Sequence, residues 1–438
     1  MLPRNFKIII LIILLGFSNI EPEESGGMTA ADHSFLPENS RLTNSFSDHD
    51  YYDRFDSTVE YFLRSWDIKG ASLAVYKDGR LVLAKGYGLA DTRGNTEVQP
   101  WHRFRIASVS KLITATAILK LYQDSRLDLN QKVFGPGGIL NDPYFSDPKD
   151  KRVYDITVAH LLSHRGGWTT RWGDQMFMPH VVASSLGKET PVDTRDVVRF
   201  VLNKRLHFPP GKGRSYSNLG YAILGLVIAE VSGQSYEEYC KKELFEPLGI
   251  YDISLGKNLY SQRDPYEVRY FEPSNALPKK SIYGSGDQVP ASNGGNDIEA
   301  LGGAGGWIAT APDLLKFIRA IDGFSDVEDI LSPQTVKFMT DNSNGWAPVG
   351  WKGSTANGYW WRTGSFAGTS AMVRRYPDGM IWVALFNTNT WKQSKFPSDV
   401  SSMLTRAISR TNNWTDEDLF EYNLPVPLEN YPFITDIH

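Results

Sequence analysis

The stretch Phe104-Arg105-Ile106-Ala107-Ser108-Val109-Ser110-Lys111-Leu112-Ile113-Thr114-Ala115-Thr116-Ala117 decides how this chain is read. It opens an apolar, Ala/Thr-rich run through Leu121 that predicts a helix. Ser108-x-x-Lys111 stands at the start, and a three-residue spacing puts hydroxyl and amine on one helical face. The helix N-terminus adds partial positive charge near the serine oxygen. This is a way to activate a serine without a histidine. Such a string is common by chance. Two downstream elements give it weight: Tyr216-Ser217-Asn218, and Arg362-Thr363-Gly364 at the head of a strand-like run.

Each residue has a chemistry that suits a nucleophilic site. Ser108 is the candidate nucleophile. Lys111, one turn away, loses proton affinity if it is desolvated and can then accept the serine proton. Tyr216 beside a cation ionises more readily than free phenol, so it is the second basic candidate, and the sequence leaves the choice open. Asn218 offers an amide to substrate and lysine alike. Arg362 carries a planar fork suited to a substrate carboxylate and does not titrate near neutral pH. Gly364 allows close approach to its strand.

The three elements resemble those of the serine β-lactamase and penicillin-binding-protein superfamily, in its class C β-lactamase, D-alanyl-D-alanine carboxypeptidase and esterase branch. The resemblance runs from about Asp50 to Ser409. It takes in Ile156-Thr157-Val158-Ala159-His160-Leu161-Leu162-Ser163-His164, Phe208-Pro209-Pro210-Gly211, Gly305-Gly306-Trp307 and Thr310-Ala311-Pro312-Asp313-Leu314. It implies a serine hydrolase that works through an acyl-enzyme without a cofactor, on D-amino-acid peptide, β-lactam-like or ester carbonyls. It implies that Tyr216 and Lys111 share the acid–base work, and that the backbone N–H groups of Ser365 and Ser108 form the oxyanion hole. Arg362 departs from the Lys or His usual at its position, which favours a peptidase or esterase over an efficient β-lactamase. The second reading is a penicillin-binding-like binding or sensor protein with little turnover.

Around this core the chain organises itself by pattern. Tyr51–Trp66 has helical spacing. Ala71–Tyr76 and Leu81–Tyr87 flank Lys77-Asp78-Gly79-Arg80, a hairpin signal repeated at Pro377-Asp378-Gly379 between Ala371–Tyr376 and Met380–Phe386. Val400–Ile408 reads as helix. The middle, about 111–324, is mostly helical, with Pro312 in a first turn and Thr310 as cap. The expectation is an α/β (α+β) fold: an antiparallel sheet from both ends of the chain, flanked by N- and C-terminal helices, with a helical insert and the site in the cleft between.

The domain expectation is a signal peptide over 1–20, a flexible linker over 21–47, the hydrolase domain over 48–411 and a tail over 412–438. Arg4 and Lys7 precede the apolar run Ile8–Phe17, a signal-peptide pattern too short to span a bilayer. Export to periplasm or medium follows, and a retained run would give weak membrane association. With 46 Lys and Arg against 50 Asp and Glu, the net charge is -4 and no basic block stands out, so nucleic acid is not an expected partner. A small-molecule or peptide substrate is. Cys240 is the single cysteine, which rules out an intramolecular disulfide. His160 and His164 stand at i, i+4, but no third ligand is evident and no metal is expected. Gly302–Gly306 lacks the Lys and Ser/Thr of a phosphate loop and reads as packing or a cleft wall.

Overall fold

The computed structural model describes residues 42–346, 348–390 and 395–423. The proposed signal peptide, most of the linker and residues 424–438 lie outside them.

Asp78 and Gly79 take φ of 51° and 83°, the left-handed values a two-residue hairpin requires, and so join strands Gly70–Lys77 and Arg80–Asp91. Gly379, at φ 86°, lies in the turn between Thr369–Arg375 and Ile381–Phe386. The two hairpins meet along Ala71↔Phe386 through Tyr76↔Ile381. With Thr96–Glu97, Trp360–Phe366 and Gly353–Ser354 they build a seven-stranded antiparallel sheet, in the order 96–97, 80–91, 70–77, 381–386, 369–375, 360–366, 353–354. The sheet thus unites residues about 300 positions apart, as the two-ended pattern predicted.

Side-chain alternation sorts this sheet between two cores. Leu73, Val75, Trp382 and Ala384 pack on one face under helices Asp53–Ser65 and Phe396–Ser409, through Phe55, Val59, Phe62, Phe396 and Val400. Ala74, Tyr76, Val383 and Leu385 face the larger core, which holds helices Ser110–Gln123, Asn218–Ser232 and Ala311–Arg319. Both faces are covered, so the central strands are apolar almost throughout. Each fully buried Leu, Val or Phe contributes about 1.5–3 kcal/mol. The Ala311–Arg319 helix is capped as expected, by Thr310 Oγ1 accepting from Asp313 N at 3.1 Å.

Two assigned boundaries need correction. Asn44–Ser47, placed in the linker, form a short 3-10 helix, and Asn44 accepts Gly86 N at 2.7 Å. Leu419–Tyr422, placed in the tail, form another. Leu42 N donates to Tyr422 O at 2.8 Å, and Asp418 accepts Leu81 N at 3.0 Å. Both are too short to show an apolar period, although Leu42 and Leu419 are buried in the main core.

Candidate active site

The nucleophile segment is held from behind. Strand Phe104–Arg105 pairs with Trp307–Ala309, and Ile106 N donates to Trp307 O at 3.0 Å. Ala107 then takes φ 46°, a left-handed conformation that a β-carbon disfavours. The result is a 3-10 turn, Ala107–Val109, before the helix Ser110–Gln123. Ser108 therefore lies in this turn, just ahead of the α-helix, while Lys111 is buried in the first helical turn. Lys111 Nζ donates to Ser108 Oγ at 3.2 Å, to Asn218 Oδ1 at 2.7 Å and to the Ala304 carbonyl. The glycine-rich run that supplies this carbonyl packs on the site: a β-carbon at Gly303 would meet Tyr221 O at 2.8 Å.

The second element is set by a helix cap. Ser217 Oγ accepts Gly220 N at 3.0 Å and starts the helix Asn218–Ser232. Tyr216 and Asn218 stand on either side of that cap. Tyr216 OH lies 2.7 Å from Ser108 Oγ and donates to Asn218 Oδ1 at 3.2 Å. With its hydrogen so placed, the phenol oxygen is left to accept a hydrogen bond from Ser108 Oγ.

Two opposed effects bring the amine and the phenol to the same range. Burial lowers Lys111 to about 8. Burial raises Tyr216, but the charges of Lys111 and Arg362 outweigh it and bring the phenol to about 8. A proton can pass between groups so matched at little cost.

Arg362, in the strand Trp360–Phe366, is 3% exposed. Its Nε donates to the Ser108 carbonyl at 2.7 Å and its Nη2 to Tyr216 OH at 3.3 Å. Arg362 thus spends its Nε and Nη2 on the protein at the Ser108 turn. It braces the Ser108 turn and holds positive charge on the phenol. Gly364 has no room for a side chain: a β-carbon would stand 2.3 Å from Ile106 O and 2.8 Å from Ser108 N. That contact brings Ser365, exposed and next in the strand, to the Ser108 turn. Thr363 Oγ1 accepts Lys352 Nζ at 3.1 Å.

Three residues join the site that the sequence did not assign to it. Asp174 Oδ2 accepts Asn218 Nδ2 at 2.6 Å. So Asn218, expected to bind substrate, spends its amide on Lys111, Tyr216 and Asp174. His164, at φ 60°, lies beyond the short helix Val158–Leu162 and accepts Ser217 N at 3.3 Å, its ring centroid 4.8 Å from that of Tyr216. Burial and the charges of Arg362, Lys111 and Arg214 hold its pKa well below 6.5, so it packs as neutral imidazole. His160 instead caps its own helix, accepting Thr157 N at 3.2 Å. Among the described residues no cluster of three or more His, Cys, Asp or Glu could hold a metal. Lys352 is the third addition.

The family model described as Beta-lactamase matches residues 55–399. The chain is 30% identical over 251 residues to "Protein flp" of Staphylococcus aureus (strain COL), a match covering 56% of this chain and 46% of that protein. The chain thus spans about half the length of the curated relatives it matches. D-amino acid amidase from Ochrobactrum anthropi SV3, complexed with D-phenylalanine, superposes with TM-score 0.62 at 22% identity, over 83% of this chain and 99% of that one. EstCE1, a hydrolase with promiscuous acyltransferase activity, gives TM-score 0.61 at 20% identity, over 82% of this chain and 99% of that one. At these identities the two structures show the fold alone.

Proposed function

Because the chain belongs to the β-lactamase family, we propose that it is a serine hydrolase that forms an acyl-enzyme on Ser108 and acts on D-amino-acid peptide or amide and ester carbonyls. One observation carries the reading: Ser108 Oγ lies within hydrogen-bond reach of two groups, Tyr216 OH and Lys111 Nζ, that both titrate at about 8.

In the proposed reaction the Ser108 proton passes to the deprotonated member of the Lys111–Tyr216 pair as Oγ bonds to the carbonyl carbon. The oxyanion is held by the N–H groups of Ser108 and Ser365. Collapse breaks the bond to the leaving group, which takes its proton back from Tyr216. Water then attacks the acyl carbon, giving up its proton to the same pair, and the bond from that carbon to Ser108 Oγ breaks as Oγ takes a proton back from the pair. Arg362 holds the Ser108 carbonyl and keeps the phenol acidic throughout. The β-lactamase family model over residues 55–399 supports the hydrolase class.

The test is a neutral fluorophosphonate label followed by mass spectrometry of the modified peptide. Modification at Ser108, lost in Ser108→Ala, is expected. Modification elsewhere would overturn the assignment. Acylation by a penicillin without turnover of any ester would instead favour a binding or sensor protein. Export rests on Arg4, Lys7 and the run Ile8–Phe17, and fractionation of the producing cells tests it.

A further inference from the structure

Lys111 faces more acceptors than its neutral amine can use. Its Nζ donates to Ser108 Oγ at 3.2 Å, to Asn218 Oδ1 at 2.7 Å and to the Ala304 carbonyl. The ammonium form serves all three with its three hydrogens. The neutral amine has two hydrogens and one lone pair. To take the Ser108 proton, that lone pair must point at Oγ, so both hydrogens must stay on Asn218 Oδ1 and Ala304 O. These two acceptors therefore aim the base. Asn218 is held by Asp174. The Ala304 carbonyl belongs to the short 3-10 turn Gly302–Ala304, where the glycines have no side chain to anchor them.

A buried line of hydrogen bonds anchors the turn instead. Thr114 is fully buried, one turn beyond Lys111 on the same face of the helix Ser110–Gln123. Its Oγ1 donates to Gly303 O at 2.7 Å, nearer than Ser110 O at 3.3 Å, and lies 2.7 Å from Tyr236 OH. Tyr236 OH accepts Trp307 Nε1 at 2.8 Å. An indole N–H can only donate and a carbonyl can only accept. Thr114 has one hydrogen and gives it to Gly303, so its contact with Tyr236 carries the tyrosine's hydrogen. The line thus runs one way, from Trp307 through Tyr236 and Thr114 to Gly303, and bonds so aligned strengthen one another in a buried site. It starts on a residue already tied to the nucleophile segment, because Trp307 N donates to Ser110 Oγ at 3.3 Å and Trp307 O accepts Ile106 N at 3.0 Å. The fit is close, since a β-carbon at Gly303 would stand 3.1 Å from Thr114 Oγ1.

We propose that Thr114, held by Tyr236 and Trp307, is a positioning residue that fixes the Ala304 carbonyl and so directs the Lys111 lone pair at Ser108. The inference rests on the acyl-enzyme reading of Ser108 and adds to it the means by which the base is oriented. A carbonyl stabilises the ammonium more than the amine, because a hydrogen bond from a charged donor is the stronger one. Loosening the Ala304 carbonyl therefore lowers the proton affinity of Lys111. The charged and titratable groups that face Lys111 are Tyr216, Tyr221, His164, Asp174 and Arg362. Thr114→Val leaves all of them in place, so a change of pH profile in that variant reports the Ala304 contact.

The experiment measures kcat, KM and the pH profile of kcat/KM on a neutral ester, together with Tm, for wild type, Thr114→Val, Thr114→Ser and Tyr236→Phe. Valine keeps the shape of threonine and removes only the hydroxyl. The expected result in Thr114→Val is a fall in kcat of about 10-fold with KM little changed, and an acid limb moved to lower pH. Thr114→Ser, which keeps the hydroxyl, should restore both. Tyr236→Phe keeps the Thr114–Gly303 bond but removes its support, so it should shift the same way by less. Unmoved kcat and limb in Thr114→Val, even with a lower Tm, would overturn the proposal, as would equal losses in Thr114→Ser and Thr114→Val. If Thr114→Val does not fold, Tyr236→Phe decides, and an unmoved kcat and limb there overturn the proposal. Fluorophosphonate labelling of Ser108 is scored in each variant. Labelled wild type with unmoved kinetics in Thr114→Val rejects the positioning role alone, whereas wild type without labelling at Ser108 rejects the acyl-enzyme reading.

Discussion

The Asn218 amide is fixed by Asp174: Nδ2 donates to the Asp174 carboxylate at 2.6 Å, so Oδ1 must face Lys111, 2.7 Å away. A loop residue thus chooses which end of a catalytic-site amide meets the lysine. Asp174 is itself held, as the cap of the 3-10 turn Gln175–Phe177, by accepting Met176 N at 3.1 Å.

Asp174→Asn removes this negative charge while an acceptor oxygen remains. The charge raises the pKa of Lys111, so its loss lowers that pKa. The acid limb of the kcat/KM profile, which rises as the base deprotonates near pH 8, should move to lower pH. Asp174→Ala also frees the amide to flip, and a buried polar group left without its partner costs about 1–3 kcal/mol. Its kcat should fall roughly 10-fold or more. A profile fixed in both variants would mean that Asp174 serves the turn alone.

Arg362 should act with the opposite sign. Its charge lowers both Tyr216 and Lys111. In Arg362→Gln both values rise, so the acid limb should move up by about one pH unit. Arg362→Lys should hold the limb near its wild-type position while losing the second hydrogen bond. The measurement is kcat/KM from pH 6 to about 10 on a neutral ester. A downward shift in Arg362→Gln would contradict the placement of its charge.

The difference between Arg362 and Asp174 shows what a sequence carries. Ser108 and Lys111 are legible because a three-residue spacing at a predicted helix start implies their meeting, whereas Tyr216, 108 positions from Ser108, is joined to them by the family resemblance. The paired hairpins are legible because Asp-Gly turns and apolar runs are local signals. Arg362 is legible as a charge, but the direction of its fork depends on strand parity and on the Ser108 carbonyl opposite, 254 positions away. Asp174 and Lys352 read as an ordinary turn cap and a surface lysine. Only the tertiary fold brings them to Asn218 and Thr363. The 3-10 turn at Ala107 is equally silent, since alanine seldom marks a left-handed residue.

Tyr216→Phe removes the phenol oxygen alone. Turnover of an ester should fall about 10²-fold or more, the usual scale of acid–base assistance. Lys111 stays 3.2 Å from Ser108 Oγ and can sustain the residue of activity. A near-wild-type rate would assign the base to Lys111 by itself.

The two serines of Ser108-Val109-Ser110 should part in their effects. Ser110 is fully buried, and its Oγ accepts Trp307 N at 3.3 Å, on the strand that supports the nucleophile turn. Ser110→Ala leaves that N–H without an acceptor, so it should cost about 1–3 kcal/mol of stability and lower Tm while fluorophosphonate labelling persists. Ser108→Ala should do the reverse. Labelling and ester turnover vanish, and Tm changes little, because the Ser108 carbonyl that receives Arg362 Nε belongs to the backbone and survives the substitution. Thermal melts and labelling of the two variants, run side by side, give a crossed pattern if Ser108 alone is the nucleophile. Loss of labelling in Ser110→Ala at temperatures well below its Tm would show that the buried hydroxyl also governs the Ser108 turn through Trp307.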